Sequence, residues 1–215
     1  MTPRQSVDYT LYLVTDRDLS RERPTPLVVA AAVRGGVTCV QLREKALSTR
    51  AFLAEARAVA AVLRSTGVPL IINDRIDVAL AAGAGGVHLG QTDMPIADAR
   101  PIVGPEMFLG VSVESVDDAR AAEAEGADYV SVSSVYATPT KTDTVAPLGV
   151  DGVAAVRAAV SVPMVAIGGL NRETCEAVVR AGADGIAVVS AIVSADDPEA
   201  SARDLADRIR RARRP

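Results

Sequence analysis

The stretch Arg34-Gly35-Gly36-Val37-Thr38-Cys39-Val40-Gln41-Leu42-Arg43-Glu44-Lys45 decides how the rest of the chain is read. Glycines open it, a β-rich run follows, and it finishes in long polar side chains. A glycine fits the left-handed turn just past a helix C-terminus, so "RGGVTC" marks passage from a helix into a strand. Strand residues alternate faces. Gln41, Arg43 and Lys45 therefore share one side, and Val40, Leu42 and Glu44 the other. Three long donors on one face of a strand end suit an anion. A solvated edge would carry the same residues, and the rest of the chain has to decide.

The glycine tag recurs as "GAGGVHL", "EGADYV" and "AGADGI", each time before a β-rich run. The pattern predicts strands at 9–15, 38–43, 69–73, 86–89, 107–113, 129–134, 163–168 and 185–190. Ala-rich amphipathic runs lie between them, among them "RAFLAEARAVAAVLRSTG" and "VDDARAAEAEG". Eight strand–helix units predict an α/β chain folded as a (β/α)8 TIM barrel, a single compact domain over residues 1–215. An open doubly wound sheet is the weaker reading, because no Gly-x-Gly-x-x-Gly follows the first strand. The repeated tag is expected to be structural, since it falls on the helix-to-strand side.

Composition narrows the function. Of 215 residues, 49% are hydrophobic and only 3% aromatic, with no Trp, and the net charge is −4. Stacking platforms and a basic field are both missing, which argues against a nucleic-acid partner. No apolar run approaches a membrane span and "MTPRQSVDYT" has no leader-like apolar core, so no membrane partner and a cytoplasmic location are expected. Cys39 and Cys175 read as buried free thiols of a reducing compartment. A homo-oligomer is left open. Of 23 positive residues, only Lys45 and Lys141 are lysines. A chain that otherwise uses Arg keeps a compact point charge at two places.

A barrel puts its chemistry at the C-terminal strand ends. The second strand ends in Gln41, Arg43 and Lys45, the third in Asn73 and Asp74, the fourth in His88, Gln91 and Asp93. The fifth carries Ser112 and Glu114. The sixth carries Ser133, Ser134 and Tyr136, then Thr138, Thr140 and Lys141 in the long loop 137–149. The seventh ends in Gly168 and Gly169 and the eighth in Ser190. Asp74 and Asp93 are paired carboxylates that suit Mg²⁺ with phosphate co-ligands. Helix capping explains them equally well, Asp74 before a helix from Arg75 and Asp93 before Met94-Pro95. His88, the sole histidine, reads as a packed or hydrogen-bonded core residue and speaks against a multi-histidine zinc site. Thr138, Thr140 and Lys141 offer groups that hold phosphate oxygens. "IGGL" and "VVSAI" stand where barrels bind phosphate. A mouth with a Mg²⁺ site, basic donors and a separate phosphate cradle suits a reaction between two phosphorylated molecules.

At this point the residues match a known pattern. "LYLVTDR", "VQLREK", "INDRIDVALAAGAGGVHLGQTDMP", "LGVSVES", "GADYVSVSSVYATPTKTD", "VAIGGL" and "GADGIAVVSAI", in order from Tyr9 to Pro198, closely resemble the thiamine phosphate synthase family. The resemblance implies a (β/α)8 transferase of thiamine biosynthesis. It would join 4-amino-2-methyl-5-hydroxymethylpyrimidine diphosphate to hydroxyethylthiazole phosphate, releasing pyrophosphate by a dissociative, Mg²⁺-assisted substitution. Gln41, Arg43, Lys45, Asn73, Ser112 and Lys141 would contact the pyrimidine diphosphate, with Arg43, Ser112 and Lys141 catalytic. Asp74 and Asp93 would hold Mg²⁺. Thr138, Thr140, Gly169, Val189 and Ser190 would bind the thiazole phosphate. The chain departs from many relatives at Glu114, where they carry His, and at Ser133-Ser134, where they carry Gly-Pro. A thiazole tautomerase using Glu114 as acid/base and a non-catalytic phosphate-binding barrel are the competing readings.

Overall fold

Runs of Val, Ile and Leu only four to six residues long are too short for stable amphipathic helices, and they form the strands. These are β1 (Leu11–Val14), β2 (Cys39–Leu42), β3 (Leu70–Asn73), β4 (Gly86–Leu89), β5 (Phe108–Val113), β6 (Tyr129–Ser133), β7 (Met164–Ile167) and β8 (Gly185–Val188). The computed structural model describes residues 7–138 and 146–214. All eight strands run parallel in sequence order, and β1 closes onto β8 with Tyr12 beside Ala187. The predicted (β/α)8 barrel is the observed fold, with strands trimmed by a residue or two where the backbone leaves the ladder.

The helices form the outer ring. They are α1 (Thr25–Arg34), α2 (Thr49–Leu63), α3 (Ile76–Ala82), α4 (Ile96–Val103), α5 (Val116–Ala124), α6 (Gly149–Ala159) and α7 (Cys175–Arg180). After β8 the chain makes the short α8 (Ser190–Val193) before α9 (Pro198–Ala212), which packs between α1 and α7. Side-chain caps start three of them. Ser48 accepts from the Ala51 N–H, Ser115 from the Asp118 N–H, and Asp197 from the Ala200 N–H. Gly83, at φ 66°, ends α3 in the left-handed turn that its tag predicts. No helix among the described residues is long and apolar enough to cross a membrane.

Alternation divides the strand residues between two cores. Leu11, Leu13, Val40, Leu42, Leu70 and Ile72 face outward and pack against helix residues such as Phe52, Val59 and Leu205. Tyr12, Val14, Cys39, Ile71, Tyr129, Val165 and Ala187 face the barrel interior. Burial of each large apolar side chain stabilises by roughly 1.5–3 kcal/mol. The alternation persists past β2. Glu44 turns outward, buried, and pairs with Arg17 at 3.2 Å, which also reaches Glu55 at 3.4 Å. Burial pushes the Glu44 carboxyl up, and the Arg17 pairing offsets part of that. Cys39 and Cys175 are buried free thiols.

The repeated Gly-Ala-Asp tag has a structural cause. Asp128, before β6, accepts from the Leu109 N–H of β5 at 2.7 Å and from Arg100 at 2.6 Å. Asp184, before β8, accepts from the Met164 N–H of β7 at 2.8 Å and from Arg157 at 2.9 Å. Each aspartate ties the bottom of its strand to the strand before it. The basic tail adds one more tie. Arg213 donates to Thr10 Oγ1 at 2.7 Å and to the Asp184 carbonyl. Asp128→Ala is expected to lower stability by about 1–3 kcal/mol, because it strips the buried Leu109 N–H of its partner. Urea unfolding checks this, and a loss within about 0.5 kcal/mol of zero would deny the tie.

Candidate active site at the strand ends

The strand C-termini open into a cavity of about 690 Å³. Gln41, Arg43 and Lys45 from the end of β2, Asn73 and Asp74 from β3, His88 and Asp93 from β4 and its loop, and Ser112 and Glu114 from β5 line one side. Ser133, Ser134 and Thr138 after β6, Gly168 and Gly169 after β7, and Val189 and Ser190 after β8 line the other. The barrel thus gathers the described residues that the resemblance names as site residues, while Tyr136, also past the sixth strand, packs against the outer core instead. Thr140 and Lys141 lie outside the described residues. Tyr12, Ser131 and Ile167 also reach the cavity and were missed by inspecting strand ends alone. Their signal is period two, since each is an inward position one or more steps deeper along its strand.

The carboxylates come together, and neither caps a helix. α3 starts after Arg75 and α4 after Pro95, both without a side-chain cap. Asp74 sits just past β3 at φ 60°, a conformation that costs energy for a residue with a Cβ, and its N–H donates to the His88 carbonyl at 2.9 Å. Asp93 Oδ2 accepts from the Gly90 N–H at 2.7 Å. A Cβ at Gly90 would lie 2.9 Å from that oxygen, so glycine makes room for it. Burial raises the Asp93 pKa, and the facing Asp74 carboxyl raises it further. Lys45 Nζ pairs with Asp74. Two hard oxygen donors that repel each other and draw in an ammonium group form a place for positive charge. Among the described residues no group of three or more His, Cys, Asp or Glu is placed to hold a metal. The pair therefore fits a hard cation such as Mg²⁺ completed by water and ligand oxygens, and does not fit a zinc cage. Arg43 stands beside it, half-buried and 3.4 Å from Asp16 Oδ2.

The floor is a run of hydrogen bonds. Gln41 Nε2 donates to Tyr12 Oη at 3.1 Å, and Tyr12 Oη meets Tyr129 Oη at 2.9 Å. Tyr129 Oη lies 3.0 Å from His88 Nδ1, and His88 Nε2 lies 2.9 Å from Ser112 Oγ. His88 is buried and bonded as predicted, and it also faces the cavity. Asn73 is buried at the end of β3, in register with His88.

The opposite wall is built from backbone. Gly168 at φ 102° and Gly169 at φ 65° turn the chain away from β7. A Cβ on Gly168 would overlap Ser134 Oγ, and one on Gly169 would lie 2.7 Å from Tyr136 Cβ. Ser134 Oγ donates to the Tyr136 carbonyl at 2.6 Å, which holds the turn that those glycines accommodate. Val189 precedes α8 and Ser190 begins it, so first-turn N–H groups without helical partners stand at this wall. One end of the cavity is thus ionic and the other offers backbone amides and hydroxyls.

The family model described as thiamine monophosphate synthase matches residues 11–192. A thiamine-phosphate synthase from Albidiferax ferrireducens is 58% identical, covering 87% of this chain and 86% of the relative. One from Chloroflexus aurantiacus is 54% identical, covering 93% and 92%. The solved thiamine phosphate pyrophosphorylase from Pyrococcus furiosus superposes with a TM-score of 0.89 at 35% identity, covering 96% of this chain and 98% of that one. A shared barrel, a family match over most of the chain and this degree of identity lead to one conclusion: the chain belongs to the thiamine monophosphate synthase family, transferases of thiamine synthesis.

Proposed function

We propose that this chain couples 4-amino-2-methyl-5-hydroxymethylpyrimidine diphosphate with hydroxyethylthiazole phosphate, giving thiamine phosphate and pyrophosphate. The observation that carries the reading is one cavity with two unlike ends over a hydrogen-bonded floor. Arg43, Lys45, Asp74 and Asp93 make an end suited to a diphosphate with its cation. Gly169, Val189, Ser190 and Thr138 make an end suited to a single phosphate. Gln41, Asn73 and Ser112, which line the same cavity, would hold the polar heteroaromatic ring.

In this reading the C–O bond between the pyrimidine methylene and the diphosphate breaks first, and its electron pair leaves with the oxygen. The thiazole nitrogen then donates its lone pair to the methylene carbon. Asp74 and Asp93 would hold Mg²⁺, which when bound supplies positive charge to the departing oxygens. Arg43 and Lys45 face charge that grows as the bond breaks, so they favour the transition state over the bound substrate. Lys141 would add to that charge and Thr140 to the thiazole-phosphate end. The resemblance supports these two roles, on residues outside the described part of the structure. A cytoplasmic location completes the proposal.

Mixing the protein with both substrates, with and without Mg²⁺, is expected to yield thiamine phosphate and pyrophosphate in equal amounts only when the metal is present. Interconversion of thiazole isomers without coupling would make the cavity a tautomerase, with Glu114 the first acid/base candidate. Arg43→Ala is expected to lower kcat on the order of a hundredfold, as loss of one transition-state donor does elsewhere. Asp93→Asn is expected to raise the Mg²⁺ concentration needed for half-maximal rate by tenfold or more, on the order of the cost of weakening a cation site. A titration of rate against Mg²⁺ reads this, and an unchanged midpoint would remove Asp93 from the metal site.

A further inference from the structure

The hydrogen-bonded floor contains a residue that does not reach the cavity surface. Tyr129 is fully buried, yet its hydroxyl joins Tyr12 to His88. Its ring packs 4.6 Å from that of Tyr9 and 5.6 Å from that of His88, centroid to centroid. Gly110 is in register with both His88 and Tyr129, and a Cβ there would overlap the tyrosine ring. Burial pushes the Tyr12 and Tyr129 hydroxyls well above their usual range, so both keep their protons.

One proton on each hydroxyl and one on a neutral imidazole leave two directions for this chain. Started from the Gln41 amide, Tyr12 donates to Tyr129 and Tyr129 to His88 Nδ1. His88 then carries its proton on Nε2 and donates it to Ser112 Oγ. The Ser112 proton is left to point into the cavity. In the opposite direction Tyr12 accepts from both Gln41 and Tyr129, and its own proton is left with the neighbouring Cys39 thiol, a weak acceptor. The first direction satisfies every oxygen and nitrogen in the buried run, and an unsatisfied buried donor is costly.

We propose that Tyr129, with Tyr12 behind it, is a positioning residue that acts through His88 to hold the Ser112 hydroxyl as a hydrogen-bond donor toward the cavity. The site then selects a ring with an acceptor, such as a pyrimidine nitrogen, at that point. The proposal deepens the coupling reading and rests on it for the identity of that ring.

His88 is the chain's sole histidine, so its side-chain nitrogens can be read without ambiguity in an untagged, ¹⁵N-labelled protein. A long-range ¹H–¹⁵N correlation spectrum at neutral pH is expected to show the Nε2–H tautomer. Tyr129→Phe is expected to admit the Nδ1–H tautomer. It should also lower kcat/KM for the pyrimidine diphosphate on the order of tenfold, the scale of one buried hydrogen bond, while KM for the thiazole phosphate is unchanged. Tyr12→Phe should shift the tautomer the same way. A wild-type His88 found as the Nδ1–H tautomer or as imidazolium overturns the proposal. So does a Tyr129→Phe enzyme whose tautomer or kinetics match wild type. The wild-type spectrum needs neither a variant nor a substrate. It therefore tests the chain even if Tyr129→Phe fails to fold, and independently of whether coupling is observed.

Discussion

Closure of the parallel sheet is the constraint on which the rest depends. Once β8 pairs with β1, no strand has a free edge, and each has one face toward the helices and one toward the interior. A strand of four residues can then place only two side chains inside. Six of the eight strands are that short, so the bottom of the barrel and its mouth are furnished from a small set. The large aliphatic residues go outward against the helices, where their burial stabilises most. The interior keeps a few aliphatics, Val14, Ile71 and Val165, among tyrosines, small residues and polar groups. Aromatic poverty is therefore local in its meaning. Three of the four tyrosines, Tyr9, Tyr12 and Tyr129, are spent on the inside of the barrel.

That interior becomes chemically useful because its polar groups are satisfied by one another. A buried hydroxyl or imidazole is costly unless bonded. Gln41, Tyr12, Tyr129, His88 and Ser112 meet this demand as one run across five strands. The same requirement that stabilises the core orients the groups at its upper surface. The carboxylate pair follows the opposite logic. Asp74 and Asp93 face each other, and among the described residues a backbone N–H and Lys45 balance them. In the proposed reading, a cation and its ligand would meet the rest of their electrostatic demand.

The Gly-Ala-Asp turns show how the bottom of the barrel differs from the top. Asp128 and Asp184 are also carboxylates near strand termini, but each is consumed by a backbone N–H and an arginine. Asp74 and Asp93 lie at the other end, where the loops diverge and space remains. Residue type alone does not separate the aspartates that tie strands from those that line the cavity. Position along the strand does.

Much of this was written in the chain. Glycine tags and period-two runs specify eight strands because turn geometry and alternation are local properties. The position of Gln41, Arg43, Lys45, Asn73, Asp74, Asp93 and Ser112 at strand ends follows from the barrel rule once eight units are counted. The sequence left three matters open that only the tertiary structure decided. Whether Asp74 and Asp93 cap helices depended on where α3 and α4 begin, and both begin too late for capping. Whether His88 is core or site proved to be a false choice, since one ring nitrogen meets a buried tyrosine and the other meets Ser112 at the cavity. Tyr12 and Tyr129 gave no sign of a role, because their contacts join residues 117 positions apart. Local pattern determines which face a side chain takes. Only closure of the sheet brings distant faces together, and the hydrogen bonds that set the floor of this site cross that closed interior.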